Sequence, residues 1–186
     1  MQSNVAGAES VGVEGYYHVV CRAADGSIKW QDEFPNLVNA GGKELMLDTL
    51  LSGTSYTTVG PFLGLISGAS PTFAAADTMT SHGGWTEFVN YTVGGSAVRG
   101  TASFSSATST GTTPTNVTTK TATAITYTIT GAGGTVGGCF LVTGSGASST
   151  QSNTSGTLYS AGAFSTAKIT TAGDTVSVTY STTATS

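Results

Sequence analysis

A strict alternation of apolar and hydroxyl-bearing side chains in the last third of the chain most constrains its fold. Residues 124–130 alternate Ile and Tyr with Thr, and residues 176–180 alternate Val and Tyr with Ser and Thr. Successive side chains of a strand point to opposite faces of its sheet, whereas a helix repeats every 3.6 residues. The pattern therefore predicts strands with one buried apolar face and one face of hydroxyl groups.

Composition narrows the fold class further. The 186 residues include 35 Thr, 23 Ser and 26 Gly, nearly half of the chain, but only 16 charged side chains. Glu, Lys, Arg and Gln are too few for a coiled coil or a helical bundle. A formal net charge of −4 argues against disorder driven by charge repulsion, and the glycines lack the period of three that collagen requires. A β-rich chain remains.

The charge balance bears on partners and on location. The pI is about 4.9, and the six basic residues form no cluster that could neutralise a run of phosphates, so we expect no nucleic-acid partner. No apolar run approaches the length of a membrane span. The first residues lack the basic start and apolar stretch of a secretory signal, which predicts assembly in a cytoplasm.

The two cysteines predict neither a disulfide nor a metal site. Cys21 and Cys139 lie far apart in sequence, each among apolar neighbours. In a reducing compartment such residues are typically buried free thiols. Two cysteines without further His or Cys nearby do not form a zinc site.

The chain is predicted to form one domain, residues 13–186, preceded by a flexible arm at residues 1–12, where the residues are small and weakly patterned. One helix is expected near residues 41–52, closed by Gly53, with Leu47, Leu50 and Leu51 on the face that packs on a sheet. About nine strands are predicted, at residues 15–22, 27–34, 61–66, 86–92, 98–104, 124–130, 135–143, 158–164 (one strand or two) and 176–180.

This arrangement is typical of an all-β protein, an antiparallel β-sandwich or jelly-roll-like fold with one short helix. Asp25-Gly26 predicts a hairpin turn between the first two strands, and Pro35 ends the second. Two stretches made almost entirely of Ser, Thr, Gly, Asn and Ala, residues 105–116 and 144–156, read equally well as mobile surface loops or as loops that order against a partner.

Residues able to perform catalysis are few. A Ser-His-Asp triad needs a histidine between a nucleophile and a carboxylate, and the chain has only His18 and His82. His18 lies within a predicted strand, which favours a structural role. His82 has small neighbours, but no G-x-S-x-G nucleophile turn occurs anywhere. We therefore expect no catalytic residue and no enzyme.

The carboxylates and glycine-rich segments lead to the same expectation. Asp32 and Glu33 are adjacent, so in a strand their side chains face opposite ways, and Asp77 and Glu87 flank a long connection without any requirement to meet. All four read as solvated charges. Residues 131–134 lack the Lys-Ser/Thr of a phosphate loop, and no calcium-loop motif occurs. No cofactor and no metal are expected.

The aromatic residues leave two interpretations open. Trp30 and Trp85, with several tyrosines, could form a platform on which a sugar ring packs. Aromatic side chains amount to only 9% of the chain, however, and are more simply explained as core and sheet-face residues.

Three segments together carry a resemblance to a known class of proteins. They are residues 38–50 (VNAGGKELMLDTL), residues 60–66 (GPFLGLI) and residues 76–88 (ADTMTSHGGWTEF). With the hairpin before them, they resemble a recurrent virion structural protein of tailed bacteriophages, of the capsid decoration (cement) type. The likeness covers roughly residues 13–104 and is looser beyond; it assigns no functional residue.

The resemblance implies a small β-sandwich without enzymatic activity that binds and stabilises the outer surface of a phage head. Its partners would be the major capsid protein and other copies of itself, and it would assemble in the host cytoplasm. A tail-fibre or receptor-binding module is the alternative, with hydroxyl-rich loops and Trp85 forming a glycan surface. A third hypothesis is an enzyme that cleaves surface polysaccharide through His82 or Glu87.

Overall fold

The computed structural model of the chain describes residues 12–51, 59–110 and 117–185. One helix, α1, spans Ala40–Leu51. The strands of these residues are β1 (Gly12–Arg22), β2 (Ile28–Pro35), β3 (Leu37–Val38), β4 (Phe62–Ser67), β5 (Thr86–Phe88), β6 (Tyr91–Thr92), β7 (Gly100–Thr101), β8 (Thr108–Thr110), β9 (Val117–Thr121), β10 (Ile125–Ile129), β11 (Gly134–Thr143), β12 (Thr157–Thr170) and β13 (Thr175–Thr185).

The strands form two antiparallel sheets. The seven-stranded sheet has the order β2-β1-β13-β10-β6, and β9 joins it by pairing with β13 and β8. The six-stranded sheet has the order β3-β12-β11-β4-β5, with β7 paired to β4. Two antiparallel sheets and one helix confirm the predicted mainly-β sandwich, while a jelly-roll-like topology stays a prediction.

The two segments of alternating apolar and hydroxyl-bearing residues form strands, as predicted, and lie in the centre of the seven-stranded sheet. β13 pairs with β1 along its whole length, Gly12 opposite Thr185 and Arg22 opposite Thr175. β10 pairs on the other side of β13. The apolar side chains of these strands meet those of the six-stranded sheet in the main core, which includes Tyr17, Val19, Leu63, Leu65, Tyr127, Cys139, Val176, Val178 and Tyr180.

A second apolar cluster covers the opposite face of the six-stranded sheet. Ile66, Phe140 and Val142 project away from the main core and pack against Met79 and Trp85, which come from the long connection after β4. Both faces of this sheet are thus buried. Its strand β11 accordingly reads as a nearly continuous apolar run instead of alternating.

The helix lies where it was predicted, within one residue at each end, but it packs through other side chains. Gly42 and Leu45 are buried, whereas Leu47, Leu50 and Leu51 are 58%, 75% and 78% exposed. The prediction that these three leucines face the sheet was wrong. Gly42 lies against the backbone of Tyr159 on β12, and that close approach turns the leucine side away.

Other boundaries also differ from the predictions. The strand predicted at residues 86–92 is two short strands, β5 in one sheet and β6 in the other, so the chain crosses the sandwich there. Residues 158–164 belong to one long strand, β12. Of the strand predicted at 98–104, only β7 forms. The loop predicted at 105–116 contains β8, which pairs with β9 as a hairpin.

The arm predicted at residues 1–12 lies outside the described residues except for Gly12, which begins β1. Within the part of the chain that the structure describes, no helix combines the length and apolar character needed to cross a bilayer.

Candidate binding surfaces

Among residues 12–51, 59–110 and 117–185, none forms a covering layer on the outer face of the seven-stranded sheet comparable to that of the other sheet. Every second residue of β13 points outward there, and each one bears a hydroxyl group: Thr175, Ser177, Thr179, Ser181 and Thr183. The register places further hydroxyls beside them, from Thr126 and Thr128 on β10 and from Thr121 on β9. We call these eight side chains the hydroxyl face.

The hydroxyl face is uncharged, and its groups contact one another. Thr126 and Ser177 lie opposite each other in the register, with their hydroxyl oxygens 3.1 Å apart. Charged side chains flank this area on the β1 and β2 side, where Glu33 lies opposite His18. Threonine combines a high strand propensity with a hydroxyl that water or a partner can satisfy, so a flat polar sheet surface results.

A second candidate site is built around Arg99. Its side chain is 1% exposed. Its guanidinium forms a bidentate salt bridge with Glu87, in which Nε donates to Oε1 at 2.9 Å and Nη2 donates to Oε2 at 2.7 Å. Nη1 donates to the carbonyl of Ser148 at 3.1 Å, and Nη2 donates to that of Asn153 at 2.7 Å. The face of the guanidinium lies over Phe140, 5.1 Å from the ring centroid.

These contacts join residues 144–156 to the sandwich, an arrangement that neither interpretation of this segment predicted. Two carbonyls of the segment accept from Arg99, and the Ser152 backbone N–H donates to Glu87 Oε2 at 2.8 Å. Ser152 itself has φ of 60°, a left-handed conformation that non-glycine residues seldom adopt. The segment is therefore fastened to the sandwich by a buried charge pair.

His82 and Trp85 form a stacked pair beside this network. Their ring centroids are 3.8 Å apart at an interplanar angle of 17°, and His82 Nδ1 lies 3.0 Å from the Trp85 carbonyl oxygen. Trp85 is only 5% exposed, with Phe140 packed on it at 5.1 Å. The indole is thus a core residue and not an open platform, whereas His82 is half-buried at the surface.

A cleft of about 240 Å³ opens between these groups. It is lined by Met79, His82, Trp85, Thr86, Glu87, Arg99, Ser152, Asn153 and Thr154. The structure thus brings His82 and Glu87 to one place. Asp77, the other flanking carboxylate, is not part of it; its Oδ2 accepts from the Ala74 backbone N–H at 3.0 Å.

Two of the four carboxylates predicted to be solvated are instead paired. Glu87 belongs to the buried pair with Arg99. Asp32 and Glu33 do face opposite ways, as expected, but Asp32 pairs with Lys168 Nζ at 3.0 Å. Partial burial acts to raise the pKa of Asp32, but Lys168 and Ser165 hold it below its usual value. Both predictions failed for the same reason. The basic partner of each carboxylate, Arg99 for Glu87 and Lys168 for Asp32, is not its neighbour in the sequence.

Trp30 and the cysteines have the structural roles that the simpler interpretations predicted. Trp30 packs edge-on against Phe164, 5.4 Å between centroids, and its Nε1 donates to the Ile169 carbonyl. Cys21 and Cys139 are buried free thiols, which confirms that prediction. Burial raises the pKa of Cys139 and, reinforced by Asp174, raises that of Cys21 to about 11.

Arg99 and Asp174 carry structural charges that sequence reasoning did not single out. Asp174 is buried in the turn before β13, where its Oδ2 accepts from Lys29 Nζ at 2.7 Å and from the Thr171 N–H at 2.8 Å. For Asp174 the available signal was its isolation: Lys120, Lys168 and Asp174 are the only charges after residue 100. A lone charge in a strand-rich segment is a candidate for a buried ion pair.

Within the described ranges, no three His, Cys, Asp or Glu side chains converge in a way that could hold a metal ion. The chain matches no protein-family model, and neither a curated protein nor a solved structure matches it. The two surfaces described above are therefore the basis for a functional proposal.

Proposed function

We propose that this chain is a non-enzymatic virion structural protein that binds the outer surface of a bacteriophage head and stabilises it. The observation that carries the proposal is the hydroxyl face, an uncharged sheet surface that no layer of described residues covers. Uncharged hydroxyl groups lose little free energy on leaving water when a partner supplies new hydrogen bonds, whereas charged side chains lose much more. Such a surface suits contact with the polar exterior of a protein lattice.

The mechanism we propose is mass action. A protein that binds the assembled lattice but not its dissociated subunits stabilises the lattice by its binding free energy. Contacts with several capsid subunits, or between copies of this chain in a homo-oligomer, raise the effective concentration, so each interface can be weak.

The proposal is tested by placing a charge in the centre of the hydroxyl face. We expect Thr179→Arg to weaken binding to heads that lack the protein by about 10-fold or more, because the new charge must be desolvated without a prepared partner. Co-sedimentation with purified heads measures the affinity. Ser145→Arg, in the exposed turn after β11, is the matched control and should bind normally. Equal binding by both variants would contradict the use of this face.

Residues 1–12 are proposed as a tether that reaches a neighbouring subunit, on the basis of their weak sequence pattern. Because Gly12 begins β1, the deletion that tests this should cover residues 2–11 and leave the strand whole. We expect the truncated chain to fold but not to decorate heads. Normal decoration would show that the segment is not a tether.

The alternative function is a tail-fibre or receptor-binding module. It is separated from the leading proposal by location: immunogold labelling of purified virions should mark the head. Label confined to the tail would replace the head-surface proposal with the alternative.

We propose no catalytic role for the residues that sequence reasoning considered. Both carboxylate oxygens of Glu87 accept hydrogen bonds from Arg99, so both are engaged in the buried pair. His18 projects from the outer sheet face, opposite Glu33 and Thr179. Incubation of the chain with host surface polysaccharide should release no reducing ends; release that is lost in Glu87→Gln would revive the enzyme hypothesis.

A further inference from the structure

Three unusual features converge on the cleft beside Arg99. Among the residues that the structure describes, Ser152 is the only non-glycine with a left-handed backbone. Trp85 Nε1 is buried and has no hydrogen-bond partner among them. Arg99 is an almost fully buried cation. Backbone strain, unsatisfied polar groups and buried charges each carry a cost in stability, and they concentrate where a protein binds something.

The charges in the cleft are already neutralised by one another. Glu87 and Arg99 form a closed pair, and the remaining hydrogen-bonding capacity of Arg99 goes largely to the carbonyls of Ser148 and Asn153. An anionic or cationic ligand would therefore meet no uncompensated opposite charge. The ligand that fits is neutral.

The polar groups left over in the cleft are neutral donors and acceptors. The hydroxyls of Thr86, Ser152 and Thr154 have no hydrogen-bond partner within the described parts of the chain, and neither has Asn153 Nδ2. A carbonyl oxygen only accepts, so His82 Nδ1 donates to that of Trp85, and Nε2 is the ring nitrogen left to contact a ligand hydroxyl. Together these groups can bind several hydroxyl groups of one ligand.

The size and the aromatic wall of the cleft point to a single ring. A volume of about 240 Å³ lies just below the range of roughly 300–1,000 Å³ that is common for small-molecule sites. Trp85 supports one face of the His82 imidazole, so the opposite face can pack against the C–H groups of a flat ring. Trp85, which sequence reasoning considered as the platform, instead acts as the support beneath it.

We propose that this cleft binds one neutral pyranose unit of a glycan, with His82 as the stacking surface and Ser152, Asn153 and Thr154 as hydrogen-bonding partners. The site does not depend on the head-surface role. A glycan is the ligand class that the tail-fibre alternative would need. Binding can be tested on the isolated chain without any particle.

The experiment is a ¹H–¹⁵N NMR titration of the full chain with the methyl glycosides of glucose, galactose, mannose and N-acetylglucosamine. We expect at least one to shift the signals of His82, Trp85 and residues 152–154 with a dissociation constant on the order of 1 mM, as a small neutral ligand allows. His82→Ala should weaken this binding about 10-fold or more.

Two further variants keep the test independent of folding. Ser152→Gly removes the hydroxyl but suits the left-handed backbone, so it should retain stability and still weaken binding several-fold. His18→Ala removes the exposed histidine of the opposite sheet and should bind like the unmodified chain. The proposal is overturned if none of the four glycosides shifts these signals, or if the shifts persist unchanged in both His82→Ala and Ser152→Gly.

Discussion

At the scale of single residues, Arg99 does most to join separate parts of the chain. Its guanidinium links Glu87 on β5 with two carbonyls of the segment that follows β11. Arg99 makes four hydrogen bonds, two to Glu87 and two to carbonyls, and loss of any one partner leaves part of a buried cation uncompensated. The pair thus holds residues 144–156 in place, a hydroxyl-rich segment that has few apolar side chains of its own.

Glu87→Gln should lower the free energy of unfolding by about 3 kcal/mol, because Arg99 would keep its charge without a counter-charge in a buried site. Urea unfolding followed by tryptophan fluorescence measures the change. Glu33→Gln, an exposed carboxylate on the outer sheet face, is the control and should change stability by no more than about 0.5 kcal/mol. Similar losses in both variants would show that the buried pair contributes nothing particular.

Asp174 gives the stability of the protein a pH dependence of known sign. Burial acts to raise the pKa of Asp174, but Lys29 and the Thr171 N–H hold it below the ordinary value of 3.8. The folded state therefore binds fewer protons than the unfolded state in acid, so this contribution is complete above the ordinary pKa and disappears as the pH falls through the folded-state pKa.

Asp174→Asn should be less stable than the unmodified chain by about 2 kcal/mol at neutral pH, because it loses charged hydrogen bonds at a buried position. The difference should shrink as the pH falls below about 4. Urea unfolding at a series of pH values measures both effects. Glu33→Gln, an exposed carboxylate of the outer sheet face, serves as the control. A difference that grows on acidification would have the wrong sign for this mechanism.

At the scale of elements, α1 shows why a pattern of leucines did not predict which side of the helix is buried. The helix contacts β12 through Gly42, where a Cβ atom would lie 2.6 Å from the Tyr159 carbonyl oxygen. The absence of a side chain at Gly42 thus permits the close approach of the helix to β12. The hydroxyl-rich hairpin of β8 and β9 illustrates a related limit, since residues 105–116 offer no apolar alternation from which a strand could be recognised.

Gly42→Ala tests the close packing of α1 on β12. Helix propensity alone would stabilise the variant by about 1 kcal/mol, but overlap with the Tyr159 backbone should outweigh this and give a net loss of about 1–2 kcal/mol. Gly41→Ala is matched in propensity, and its Cβ would meet only the Thr157 methyl at 3.3 Å, so it should be neutral or slightly stabilising. Thermal unfolding measures both; a stabilised Gly42→Ala would disprove the close contact.

At the scale of the whole molecule, the two sheets are covered unequally. The six-stranded sheet has the main core on one face and the cluster of Ile66, Trp85 and Phe140 on the other. Among the described residues, the other face of the seven-stranded sheet, away from the main core, carries mostly hydroxyl-bearing and charged side chains, with a few others such as Val20. Within the part of the chain that the structure describes, this asymmetry leaves one side of the molecule without a covering layer. The docking test at Thr179 is designed for that side.

Local sequence pattern determined a large part of this protein. The period-two alternation in β10 and β13 sets which side chains are buried and which form the hydroxyl face, because neighbouring side chains of a strand point to opposite sides. The first hairpin, the end of β2 at Pro35 and the position of α1 follow from equally local preferences.

Only the tertiary structure decided which of these elements lie together. Arg99 meets Glu87 and Asn153, His82 stacks on Trp85, and Lys29 pairs with Asp174. These contacts depend on the register of the strands and on the stacking of the two sheets. Sheet register and sheet stacking depend on the packing of the entire core, so no local pattern encodes them. For that reason the hydroxyl face could be foreseen from the sequence, whereas the cleft beside Arg99 could not.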